Sequence, residues 1–244
     1  MDIGAISHTG LIRDINQDSY FVSEDKMNLF IVADGMGGHK AGEVASSIAI
    51  DSVKKYIEEH ISKKNGEYDE AVSRIIEEAI VDANTKIFNK SMEEEKYQGM
   101  GTTLTMAFIQ SKLFIGHIGD SRAYLIRNNE IKQITQDHSL VAELLRNGTI
   151  TEKEAKTHPQ KNIITRALGT EENIQIDIYT IELLAEDIIV LCSDGLSNLV
   201  EQMEIKECLT NSNSMQSGCE HLVDLANERG GYDNITIIGI KNNQ

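Results

Sequence analysis

Positive charge is scarce in this chain. Lys and Arg number 23 against 39 Asp and Glu in 244 residues, a formal net charge of −16. Such a balance repels nucleic acid and anionic membrane, so neither is an expected partner. Cysteine is sparse as well. Cys192, Cys208 and Cys219 show no CxxC spacing, which leaves no zinc motif. An odd, low count fits a reducing cytoplasm, the expected location. No apolar stretch approaches the ~18 residues of a membrane span. The opening residues Met1-Asp2-Ile3-Gly4 lack the basic-then-apolar pattern of a signal peptide. Pro159 is the single proline. Linker-like, low-complexity and repeated stretches are absent. One domain over residues 1–244 is expected, large enough to bury a sizeable core, with a short polar tail at 241–244.

What the chain does have is a repeated arrangement of apolar runs next to carboxylates. An apolar run ends in Val32-Ala33-Asp34-Gly35-Met36-Gly37-Gly38-His39. A second, Ile188-Ile189-Val190-Leu191-Cys192-Ser193, runs into Asp194-Gly195, and residues 113–118 run into Gly119-Asp120. Gly230-Gly231-Tyr232-Asp233-Asn234 leads straight into the apolar residues 235–240. Taken singly, Asp-Gly after a strand is a turn. Four together place Asp34, Asp120, Asp194 and Asp233 at the ends of separate strands. On one sheet edge they would converge, and converging carboxylates are stable around a cation. Carboxylate oxygens are hard donors suited to magnesium or manganese.

Periodicity sketches the remainder. Short strands are expected at 2–7, 19–23 and 28–33, then a helix at 42–60 with Val44, Ile48, Val53 and Ile57 on one face. A second long helix starts near Asp69, a candidate N-cap. Strands at 102–109, 112–118, 122–127 and 131–134 form a meander. Residues 139–156 read as helical, with Thr151 and Glu154 in a capping-box pattern, broken by His158-Pro159. A half-buried strand at 174–181, helices at 200–209 and 215–229 and a last strand at 235–241 follow. Strands in meanders with a few long helical crossings fit mostly antiparallel sheets flanked by helices better than a doubly wound fold.

The residues then match a family. Gly10-Leu11-Ile12-Arg13-Asp14-Ile15-Asn16-Gln17-Asp18, the Asp34 phrase, Gly99-Met100-Gly101-Thr102-Thr103, Gly119-Asp120-Ser121-Arg122, Cys192-Ser193-Asp194-Gly195-Leu196 and Asp233-Asn234-Ile235-Thr236 resemble the type 2C metal-dependent serine/threonine protein phosphatases, in their compact bacterial branch. The resemblance spans nearly the whole chain. It implies an α+β fold of two packed, mostly antiparallel sheets forming a β-sandwich, helices on both sides, and a binuclear metal centre at one end. It implies two tightly bound Mn2+ or Mg2+ ions: Asp34 bridging, the Gly35 carbonyl on one ion, Asp194 and Asp233 on the other. Asp120 with Asp194 would support a third, weaker ion, and Asp18 would act mainly through water. Arg13 would hold the substrate phosphate, and a water activated by the ions would attack phosphorus in line with the leaving serine or threonine oxygen. Phosphorylated proteins, a serine/threonine kinase among them, are the implied partners, and a monomer is expected. Residues 146–168 would form a flap beside the site.

One departure concerns the acid that protonates the leaving oxygen. Eukaryotic members carry histidine directly after the Asp-Gly pair, where this chain has Met36. His39 and His158 are the substitutes to test, and metal-bound water is the other source. Rival chemistries lack their marks. No cysteine has arginine six positions later, no Asp-x-Asp pair exists, and Gly119-Asp120-Ser121 has no late Asp-x-x-His partner. The remaining alternative is a non-catalytic phosphoprotein-binding module on the same fold. The presence of all four carboxylates argues for activity instead.

Overall fold

Apolar residues on both faces of the central strands set the layering. The computed structural model describes residues 1–23, 27–37, 41–61 and 69–243. Strand β3 (Leu29–Met36) sends Phe30 and Val32 to one side and Leu29, Ile31 and Ala33 to the other, and all five are buried. A five-stranded sheet runs β1 (Asp2–His8), β11 (Ile235–Lys241), β10 (Ile188–Cys192), β7 (Arg122–Arg127), β8 (Glu130–Gln133). A six-stranded sheet runs β2 (Asp18–Val22), β3, β5 (Leu104–Ile109), β6 (Leu113–Ile118), β9 (Asp177–Ile181), with β4 (Gly101–Thr102) on the end of β3. Every strand pairing is antiparallel.

Phe30, Val32, Ile115, Leu125, Ile189 and Ile238 fill the layer between the sheets. Helices α1 (Ala41–His60) and α2 (Asp69–Glu93) cover the outer face of the six-stranded sheet through Ala45, Val53, Ile76 and Ile80. The other outer face is covered by α6 (Gln202–Asn211) and α7 (Met215–Glu228), through Ile205, Leu209, Leu222 and Val223. Two packed antiparallel sheets with helices on both sides are thus the expected α+β architecture. Among the described residues, no helix is long and apolar enough to cross a membrane.

Three local expectations change. The helix expected over 139–156 is two helices, α3 (Leu140–Arg146) and α4 (Glu152–Lys156). Gly148, at φ +68°, ends the first in the left-handed region. The Thr151–Glu154 capping box is present and starts the second. The strand expected from 174 begins at Asp177, and Ile174 and Ile176 pack on the helix-side core instead. Strand β3 continues past Ala33 to Met36, because Gly35 and Met36 pair with Thr102 and Gly101.

Candidate functional site

Two of the expected carboxylates lie opposite each other. Asp18 and Asp34 are cross-strand partners in the β2–β3 ladder. Like charges in that relation destabilise a sheet unless something lies between them. Asp120 sits in the turn joining β6 to β7, beside Gly119 at φ +113°, where a Cβ would also meet Thr103 Cβ at 2.5 Å. Asp194 follows β10 and opens the short helix α5 (Asp194–Ser197). Asp233 immediately precedes β11.

The fold brings these side chains to one end of the sandwich. Burial, then the charges of Asp18, Asp194, Asp120 and Asp233, push the Asp34 carboxyl well above its ordinary range. Asp18 is raised to about 7 by burial, against the hydroxyls of Thr236 and Ser193, with Asp194 and Asp233 adding to the rise. Burial and the Asp194 charge raise Asp120 to about 8. Burial and the Asp233 charge raise Asp194 to about 6, against the pull of Arg122 and of the Asn198 amide.

Gly35 is wedged beside the first turn of α1. A Cβ there would lie 2.1 Å from the Gly42 carbonyl oxygen and 2.6 Å from that of Gln17, so only glycine fits. Thr103 fixes the Asp34 backbone from the other side: Asp34 N–H donates to Thr103 Oγ1 at 3.0 Å, and Thr103 N–H donates to the Asp34 carbonyl at 2.9 Å.

Arg13 joins the cluster through Asp233. Its Nη2 donates to Asp233 Oδ2 at 2.8 Å, and both side chains remain partly exposed. His158 makes local turn contacts: its N–H donates to the Ala155 carbonyl at 3.3 Å, Nδ1 accepts from Gln160 N–H at 3.2 Å and its carbonyl accepts from Lys161 N–H at 3.1 Å. His39 lies outside the described residues. A cavity of about 300 Å3 separates Asp120, Asp194 and Asn198 from Leu145 of α3, Ala155 of α4 and Lys161 beyond it.

Sequence reasoning overlooked the residues that hold the carboxylates. Thr236 Oγ1 and Ser193 Oγ both donate to Asp18 Oδ2, at 2.6 and 2.8 Å. Behind Thr236 stand Ser7 Oγ at 2.8 Å and, donating to Ser7, Asn16 Nδ2 at 2.8 Å. Asn198 Nδ2 donates to Asp194 Oδ2 at 3.0 Å. Asn234 Nδ2 donates to the carbonyls of Thr9 and Ile15, at 2.8 and 3.0 Å, and ties down the loop that carries Arg13. Asn16, Ser193, Asn234 and Thr236 stand inside the acidic motifs and Asn198 just after one, but nothing in the sequence marked Ser7.

The donor set fits hard divalent cations. Oδ1 of Asp18, Asp120 and Asp194 is buried in each case with no hydrogen-bond partner. Buried anionic oxygens need a compensating partner, and a divalent ion is one. Among the described residues, however, no three His, Cys, Asp or Glu side chains already close into a coordination cage.

Comparison with known proteins gives the family. The family model of protein phosphatase 2C matches residues 12–230. A serine/threonine phosphatase of Listeria innocua is 39% identical over 237 residues, covering 96% of this chain and 93% of that protein. The crystal structure of the Mycobacterium tuberculosis serine/threonine phosphatase PstP superposes with a TM-score of 0.90 at 35% identity, covering 99% of this chain and 98% of the other. A PstP catalytic domain solved with two manganese ions superposes at 0.83, with 34% identity over 98% of this chain and 97% of that one. This chain belongs to the protein phosphatase 2C family.

Proposed function

We propose that the chain hydrolyses phosphoserine and phosphothreonine in proteins, using two manganese or magnesium ions. The reading is carried by three buried carboxylate oxygens without partners, Oδ1 of Asp18, Asp120 and Asp194, at the end of the sandwich where Asp34 and Asp233 also lie. Asp34, the Gly35 carbonyl, Asp194 and Asp233 would hold the two ions, with Asp18 acting through water and Asp120 with Asp194 taking a third, weaker ion. Bound ions would activate a water for attack on phosphorus and offset charge on the phosphoryl oxygens.

The chain's own residues do the positioning. Arg13 offers a planar fork of donors matched to phosphate oxygens, and its ion pair with Asp233 stations it beside the cluster. Ser193 and Thr236 saturate Asp18 Oδ2, so that Oδ1 is left to accept from a water. Met36 has no proton to give, so the leaving oxygen takes one from water, His39 or His158. Residues 146–168 would form a flap, and Ala155, Lys156 and Lys161 of that segment line the cavity opposite Asp120 and Asp194. The whole of residues 1–244 is read as one catalytic domain. It works as a monomer in the cytoplasm on phosphorylated proteins, a serine/threonine kinase among them. The names of the relatives support this substrate class.

Hydrolysis of p-nitrophenyl phosphate and of a phosphothreonine peptide tests the proposal. Turnover with manganese that vanishes with chelator and returns on adding the metal back is expected. A folded protein inert under both conditions would leave only a phosphoprotein-binding role.

A further inference from the structure

Most of the large apolar side chains of this chain are inside it. Among the described residues, the four most exposed are Met92 (73%), Ile12 (65%), Tyr232 (63%) and Leu11 (62%). Three of these four lie together. Leu11 N–H donates to the Gly231 carbonyl at 2.8 Å, and two residues further along both segments Arg13 pairs with Asp233 at 2.8 Å. Segments 11–13 and 231–233 therefore run side by side, tied at each end. Leu11 is drawn close over Gly231, where a Cβ would meet Leu11 Cγ at 2.9 Å.

The backbone under the patch is tied down. Asn234 Nδ2 holds the loop at the Thr9 and Ile15 carbonyls, at 2.8 and 3.0 Å. Gly10, at φ +82°, presses against Asp233, with room for no side chain: a Cβ would lie 2.2 Å from the Asp233 carbonyl oxygen. Apolar side chains kept in water on a fixed frame lose little conformational freedom on binding, which favours recognition. Exposed apolar clusters of this kind mark interaction sites.

We propose that Leu11, Ile12 and Tyr232 form a shelf for an apolar side chain within one or two residues of the phosphorylated serine or threonine of a protein substrate. The inference rests on the phosphatase reading above, with Arg13 at the phosphate. Ile12 adjoins Arg13 and Tyr232 adjoins Asp233 in the chain, so the shelf flanks the phosphate grip on the side of Gly230, over which the Tyr232 ring folds: a Cβ there would meet its Cζ at 2.4 Å. A peptide whose phosphate met Arg13 would bring side chains on one side of the phosphoresidue to this patch. Charge points the same way. A chain of net charge −16 whose site is crowded with carboxylates gains nothing from acidic flanking residues. An apolar flank, in contrast, loses water from both partners.

The test uses three substrates: p-nitrophenyl phosphate, a phosphothreonine peptide flanked by leucine, and the same peptide flanked by serine. Wild type is expected to prefer the leucine peptide by about tenfold or more in kcat/KM, roughly the value of one buried apolar side chain. The double variant Ile12→Ser, Tyr232→Ser should lose that preference and keep its rate on p-nitrophenyl phosphate within about twofold. Both positions are exposed, so the melting temperature should not move. Equal use of the two peptides by wild type, or a preference that survives the double variant, overturns the shelf while leaving the phosphatase reading intact. No turnover of any substrate strikes the phosphatase reading itself, and the shelf with it. A wild-type dimer in solution that the double variant disperses would assign the patch to a second copy of the chain and overturn the proposal.

Discussion

Arg13 and Asp233 are joined by a 2.8 Å ion pair across two loops that are 220 positions apart in the chain. Asp233 differs in this from its neighbours. Its Oδ2 takes Arg13, and its Oδ1 accepts from Asn234 N–H at 2.9 Å, whereas Asp18, Asp120 and Asp194 each keep a buried oxygen without a partner. One residue thus links the cation expected to hold phosphate with the carboxylates expected to hold metal.

Arg13→Ala should therefore separate the two functions. The expected result is a fall of about 100-fold in kcat/KM on a phosphopeptide, with manganese affinity changed by less than about threefold, since the pair is half exposed and weak on its own. Titration calorimetry alongside steady-state kinetics checks this. Unaltered kinetics would remove Arg13 from the site.

Asp34→Asn should abolish turnover, by about 1,000-fold or more, and yet stabilise the ion-free protein. The substitution removes a carboxyl whose ionisation is opposed by burial, by Asp18 across the ladder and by three further carboxylates. A rise of about 2–4 °C in melting temperature in chelator is expected, corresponding to ~1 kcal/mol in a chain of this size. Added manganese should raise the melting temperature of wild type more than that of the variant. Full activity in the variant would refute the assigned cluster.

Thr236→Val keeps shape and deletes the 2.6 Å donor to Asp18 Oδ2. A loss of about 1–2 kcal/mol in stability and about tenfold in kcat is expected, because a buried carboxylate oxygen keeps only Ser193. Urea unfolding and kinetics measure both. Wild-type values for each would make the hydroxyl incidental.

Acid sensitivity should trace partly to His117. Burial, then the neighbouring His138 ring, push its imidazole down to about 4, and Nε2 donates to the Gln136 carbonyl at 3.1 Å, so the ring is neutral in the fold. In the unfolded chain it titrates at about 6.5. A depressed folded value means that the full contribution is present above about 6.5 and is lost as pH falls toward 4, about 3 kcal/mol in all. His117→Gln should flatten the slope of stability against pH in that window. An unchanged slope would place acid sensitivity elsewhere.

The layered fold was legible in the sequence because its signals are local. Residues 29–33 and 188–192 are apolar at consecutive positions, which only strands buried on both faces require, and α1 and α2 carry their apolar stripes at helical spacing. The acidic positions were legible for the same reason, each abutting such a run. Partners were not. Ser193 and Thr236 are adjacent only because β10 and β11 pair, with Cys192 opposite Ile237, and nothing in the order of residues states that register. The extension of β3 to Met36 likewise depends on β4, whose partners Thr102 and Gly101 lie far along the chain from Gly35 and Met36. The split at Gly148 was written in Asn147-Gly148, a helix stop that the capping-box signal further on obscured.

Asp18 belongs to β2 of the six-stranded sheet, while the hydroxyls that grip it come from the chain around β10 and β11 of the five-stranded sheet. The seam between the two halves of the sandwich, greasy along most of its length, is stitched at this end by short polar bonds. Any sliding of one half over the other would tug the acid away from its neighbours before the hydrophobic filling noticed. A destabilising mutation deep in that filling, at Phe30 or Leu191, should then register as impaired turnover at temperatures where the molecule is still folded.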